Sequence, residues 1–206
     1  MGDTKTTSKE FKLDVLKEMG NIGVGNAMTS LSQMLNFAKV EMHVPDVSLS
    51  PLSDIPDLLG GAEEIIVGIY IKSPGAVSFY MVFLLDLESA RALIKDLAGA
   101  DASVEEHFGR SVLLEVGNIV MAAYLNALSH MTNLTFLPTP PLMAVDMAGA
   151  ILGTVLADAH VAEDHVLVLK TAFATATGSI EGDFLIIPDV DSLDLIVNLL
   201  LNGACP

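Results

Sequence analysis

The chain has 206 residues, 51% hydrophobic and 17% charged, enough to bury a substantial core and too apolar for a disordered sequence. Its formal net charge of −16 repels a nucleic-acid backbone and an anionic membrane surface, which argues against both as partners. A single cysteine, Cys205, leaves no internal disulfide, and the polar run Met1 to Glu10 has no signal-peptide core, so a cytoplasmic protein is expected.

Phe11 to Asn36 reads as a helix, capped among Thr6, Thr7 and Ser8. Glu64 to Ile71 and Val77 to Leu85 are rich in β-branched and aromatic residues and flank Ser73-Pro74-Gly75, the pattern of a hairpin. The lysine, proline and glycine within this apolar stretch interrupt any membrane span, and no other segment reads as one. Leu87 to Ala98 is a short helix, and Glu105 to Met131 a long one with a bend near Phe108-Gly109. Pro138, Pro140 and Pro141 break the chain before a helix over Leu142 to Leu152. His165 to Thr175 and Asp183 to Ile187 read as strands around a Gly178-to-Gly182 turn, and Asp191 to Leu201 as a closing helix.

The order repeats. Val15-Leu16-Lys17-Glu18-Met19-Gly20-Asn21-Ile22 aligns with Val112-Leu113-Leu114-Glu115-Val116-Gly117-Asn118-Ile119 at a constant offset of 97. Later, Asp86 and Ser89 align with Asp189 and Ser192 at a larger offset of 103, as Gly75 does with Gly178. No Pro- or Ser-rich linker divides the halves. The expectation is therefore an α/β (α+β) fold with a pseudo-two-fold: two long paired helices packed on a β-sheet built from two repeats. These repeats, about residues 10–100 and 107–203, make one domain over 1–206.

With 3.6 residues per turn, Asp14, Glu18 and Asn21 share an arc of about 60° on the first helix. Val15, Leu16, Met19, Ile22 and Gly23 cluster opposite them, so the polar stripe points outward while the apolar side anchors the helix. Ser111, Glu115 and Asn118 form the same stripe on the second helix. One turn on, Gly25 and Ala122 keep that face low enough for another protein's surface to approach. A carboxylate beside an amide can pair with a partner's lysine and hold a water in a set orientation. A polar helix face is more often merely solvated; two copies at one offset weigh against that. For Gly20 and Gly117, close helix packing suffices.

The pattern Asp or Ser, three residues, Glu, two residues, Asn, about twenty-two residues, Pro resembles the signature of the CheC/CheX/FliY phosphatase family. Ser111, Glu115, Asn118 and Pro141 match it fully, and Asp14, Glu18, Asn21 and Pro45 match with one extra residue before the proline. The run Gly20 to Asn26 is also similar to CheC, and two copies in one chain favour CheC over the single-site CheX. The resemblance implies hydrolysis of the aspartyl phosphate of a phosphorylated CheY-type response regulator. Glu18 and Glu115 would contact the regulator's lysine, and Asn21 and Asn118 would orient the attacking water. No cofactor of the chain's own is implied; Mg²⁺ would belong to the regulator. It also implies a possible contact with the receptor deamidase CheD, near the stretch Pro141 to Ala148 that holds Asp146. The rival expectation is a non-enzymatic adaptor, either CheD-binding or a flagellar-switch component, which should tolerate loss of the Glu–Asn pairs.

Elsewhere the chemistry is bland. The histidines at 43, 107, 130, 160 and 165 lack zinc spacing, so no metal site is expected. Gly23-Val24-Gly25-Asn26 lacks the Lys-Ser/Thr of a phosphate loop, and no Gly-x-Ser-x-Gly elbow occurs.

Overall fold

The computed structural model describes residues 41–75, 77–99, 102–158, 165–174 and 179–189, with positions 18, 21–23, 25–26, 192, 195, 198 and 199. Among these, six strands form one antiparallel sheet: β1 (Glu41–Pro51), β2 (Ile65–Ser73), β3 (Phe79–Asp86), β4 (Leu142–Met147), β5 (His165–Ala174) and β6 (Ser179–Pro188). The helices are α1 (Ile55–Leu58), a single turn behind a 3-10 turn at Leu52–Asp54, α2 (Leu87–Ala98), α3 (His107–Thr132) and α4 (Ala148–Asp158).

The strand order β1-β5-β6-β3-β2-β4 reads the same when each strand is exchanged for its counterpart in the other repeat. The first strand of each repeat crosses over to pair with the hairpin of the other, so both repeats build one sheet. β3 and β6 meet at its centre, where Val82 faces Leu185. Those two residues are 103 apart, the offset that relates Asp86 to Asp189, so the pseudo-two-fold passes through this pair.

Alternation along the strands divides the core into two clusters. On one face Ile69, Phe79, Met81, Phe83 and Phe184 pack against α2 and α3. On the other, Ile66, Val82, Leu84, Val168 and Leu185 pack against α4 and Ile55 of α1. Nearly every residue of β3 is buried, as a central strand covered on both sides requires.

The hairpin and α2 stand as expected. Asp86 caps α2 by accepting from the Ser89 N–H at 2.6 Å, and Gly99 ends it in the left-handed conformation at φ 61°. Other expectations need correction. Leu142 to Met147 is an edge strand, not the start of a helix, because it pairs with β2 from Ile65↔Met147 to Tyr70↔Leu142. β6 begins at Ser179, and Gly182 lies inside it opposite Thr171. A Cβ at Gly182 would stand 2.9 Å from Leu85 Cδ2 and Phe83 Cε2, so the glycine admits a close approach by β3 and makes no turn. Gly109 sits in the first turn of α3, where a Cβ would collide with the Ser103 carbonyl oxygen, so a close approach accounts for the glycine.

β1 was not foreseen. It carries Pro45 at a register irregularity between His43 and Asp46, which an edge strand tolerates because an edge strand has one unpaired side. α3 is long and apolar enough by length and composition to cross a membrane, contrary to the expectation that no segment is; its apolar side lies on the sheet. The cap expected at Thr6 to Ser8 and the repeat position Gly178 lie outside the described residues.

Candidate functional site

α3 shows how the stripe is held outward. Leu113, Val116, Gly117, Val120, Met121 and Tyr124 are buried, while Ser111, Glu115 and Asn118 are exposed and Ala122 is half-buried. Gly117 seats the helix: a Cβ there would stand 2.6 Å from Ile69 Cγ2 of β2. Glu115 and Asn118 flank that contact in sequence and lie on the opposite side of the helix. Asn133, with φ 55°, terminates α3 in the left-handed conformation.

In the first repeat, Glu18, Asn21–Gly23, Gly25 and Asn26 are helical. Glu18, Asn21 and Gly25 are exposed, and Gly23 is buried. A Cβ at Gly23 would fall 2.6 Å from Tyr124 Cδ2, so this helical segment packs directly on α3. Tyr124 in turn packs at a tilt against Phe184 with ring centroids 5.6 Å apart, and burial pushes its phenol pKa up. Both Glu–Asn pairs therefore stand on solvent-facing sides of two contacting helical segments. Ile22, expected on the buried side, is 38% exposed and borders Asn21 with apolar surface.

Of the supporting positions, Ser111 lies on the stripe but donates its hydroxyl to the His107 carbonyl at 2.8 Å, within its own helix. Pro45 is in edge strand β1, and Pro141 immediately precedes the other edge strand, β4. Asp14 and Gly20 are outside the described residues. Asp146 is exposed on β4 and accepts from the Met147 N–H at 2.8 Å.

Sequence reasoning placed Gly23 on the anchoring side, as found, but missed two residues around the site. Tyr124, the partner of Gly23, was hidden on the buried side; the only signal was compositional, with small Gly23 and large Tyr124 replaced at their repeat positions by Val120 and Ala27. Arg110 was the second. Its Nη2 donates to the Met143 carbonyl at 3.0 Å and ties the start of α3 to β4.

Two interleaved repeats around one antiparallel sheet, each turning a Glu–Asn pair outward from a helical segment, define a CheC-like protein. The sequence profile described as the CheC-like family matches residues 11–49 and 108–142. Over 193 residues the chain is 31% identical to the CheY-P phosphatase CheC of Bacillus subtilis (strain 168), covering 90% of this chain and 92% of that protein. The chain belongs to the CheC family. Its fold is shared with the crystal structure of Thermotoga maritima FliY, with a TM-score of 0.74 at 19% identity, covering 93% of this chain and 96% of that one. It is also similar to the CheX of a CheX–CheY–BeF3–Mg²⁺ complex from Borrelia burgdorferi, with a TM-score of 0.50 at 17% identity, covering 81% and 96%.

Proposed function

We propose that this chain is a phosphatase that hydrolyses the aspartyl phosphate of a CheY-type response regulator. The observation that carries the reading is the exposure of both Glu–Asn pairs on helices whose opposite sides are sealed by Gly117 on Ile69 and Gly23 on Tyr124. The named activity of the Bacillus subtilis relative supports it, as does the presence of CheY in the complex of a fold neighbour.

In this reading the regulator supplies its phosphoaspartate and the Mg²⁺ beside it. Glu18 or Glu115 pairs with the regulator's lysine and fixes the docking angle. Asn21 or Asn118 enters the pocket and holds a water in line with the phosphorus. The water oxygen bonds to phosphorus, the bond from phosphorus to the aspartyl oxygen breaks, and the carboxylate and inorganic phosphate leave with the water's protons. Phosphoryl transfer gains most from positioning and charge stabilisation, which an amide and a carboxylate can supply.

An adaptor role toward CheD is the second reading, favoured by the exposure of Asp146 on edge strand β4, where another protein can reach it. Phosphatase action is tested by adding substoichiometric chain to phosphorylated CheY with Mg²⁺ and following phosphate release. Multiple turnovers support the proposal, whereas decay no faster than that of CheY alone contradicts it.

A further inference from the structure

The central strand pair is closed at one end and open at the other. At the closed end, Ser78 donates its N–H to the Ser192 hydroxyl at 3.1 Å, and its carbonyl accepts from the Asp189 N–H at 2.9 Å. The repeat equivalents of Ser78, Asp189 and Ser192 are Glu181, Asp86 and Ser89, each 103 residues away. They form no such closure: the β3–β6 register stops at Leu84↔Asp183, and the Asp86 carboxylate is taken up by Ser89 in capping α2.

A cavity of about 390 Å³ lies at this open end, a volume suited to a small ligand. Cover differs between the repeats as well. After β4 the eleven-residue α4 lies on the sheet, whereas after β1 only a 3-10 turn and the one-turn α1 do so. Leu58, Ile66 and Leu84 give the cavity apolar wall, and Asp183, Glu181 and Lys170 face it with charge. The Lys170 ammonium stands 3.8 Å from Asp183 Oδ1, a loose pair, and its side chain is far more exposed than that of Asp183. Burial holds the Asp183 carboxyl above the ordinary aspartate value; Lys170 opposes this and the like charge of Glu181 adds to it. The pocket thus holds more anionic than cationic charge, and its most buried carboxylate is poorly neutralised.

We propose that this cavity binds an organic cation, an ammonium or guanidinium group on an aliphatic stem, with the stem on Leu58, Ile66 and Leu84 and the cation beside Asp183 and Glu181. The site is on the α4 side of the sheet, away from α3 and its Glu–Asn pair, so it stands apart from the phosphatase reading. The ligand is either a free amine or an arginine or lysine side chain of a partner.

Calorimetric titration of the full chain with n-hexylammonium, agmatine, neutral n-hexanol and a terminally blocked Gly-Arg-Gly peptide tests this. The cations should bind at least about tenfold more tightly than hexanol, and Asp183→Asn should weaken them at least about tenfold. Lys170→Met removes the competing ammonium and should tighten them. Glu181→Gln, at an exposed position, gives a weaker version of the same loss in a chain whose thermal melt shows it folded. Preference for agmatine over the peptide identifies a free small molecule, and the reverse a partner's side chain. Hexanol binding as well as hexylammonium, cation affinity unmoved by Asp183→Asn, or absence of binding by every cation overturns the proposal.

Discussion

Gly117 of α3 lies so close to Ile69 of β2 that a Cβ added to it would come within 2.6 Å of the isoleucine Cγ2. This contact fixes which side of α3 faces the sheet, and so turns Glu115 and Asn118 to solvent. Gly117→Val should therefore lift or rotate the helix and cost about 1–3 kcal/mol, the usual range for overpacking. Urea denaturation of the variant measures it, and an unchanged midpoint would show that the helix is not held here.

Gly25 separates stability from docking. It is exposed, and a Cβ there meets nothing within 4 Å. Gly25→Ala at this helical position should stabilise the chain by about 0.5–1 kcal/mol. If the low surface beside Asn21 admits the regulator, the same substitution slows phosphate release by the first site, measured in an Asn118→Ala background. Higher stability with undiminished activity would remove Gly25 from the docking surface.

Asp183 gives a pH dependence with a defined sign. Its folded pKa is raised by burial above the ordinary value of 3.8, so ionisation is harder in the folded than in the unfolded chain. Its contribution to stability is present below that ordinary value and is lost as pH rises through the raised folded one. The melting temperature of the wild type should fall relative to Asp183→Asn as pH climbs across this window. A difference that stays flat or grows with pH would contradict the buried placement of the carboxyl.

Much of the fold was legible because local chemistry and long-range pairing agreed. The helix over Leu87 to Ala98 stands where expected, capped by Asp86, and the repeat match of Asp86 and Ser89 with Asp189 and Ser192 has the same offset as the Val82–Leu185 pair across the sheet. Where reading failed, a distant partner decided the outcome. Leu142 to Met147 is a short apolar run that suits helix or strand, and only its pairing with β2 settles it. Gly182 looks like turn chemistry until β3 is seen pressing against it. Pro45 hid β1, since a proline reads as a break until the strand is known to lie at an edge. The outward stripe was readable from helical period alone, while its support from Tyr124 and Arg110 depends on contacts that no spacing encodes.

Phosphate release from phosphorylated CheY, compared between the wild-type chain and the Asn21→Ala, Asn118→Ala double variant, most directly tests whether the exposed amides do the chemistry. Both side chains are exposed, so the variant should melt like the wild type. Release should fall to the regulator's own rate; full activity in the folded double variant would mean that neither amide does the chemistry.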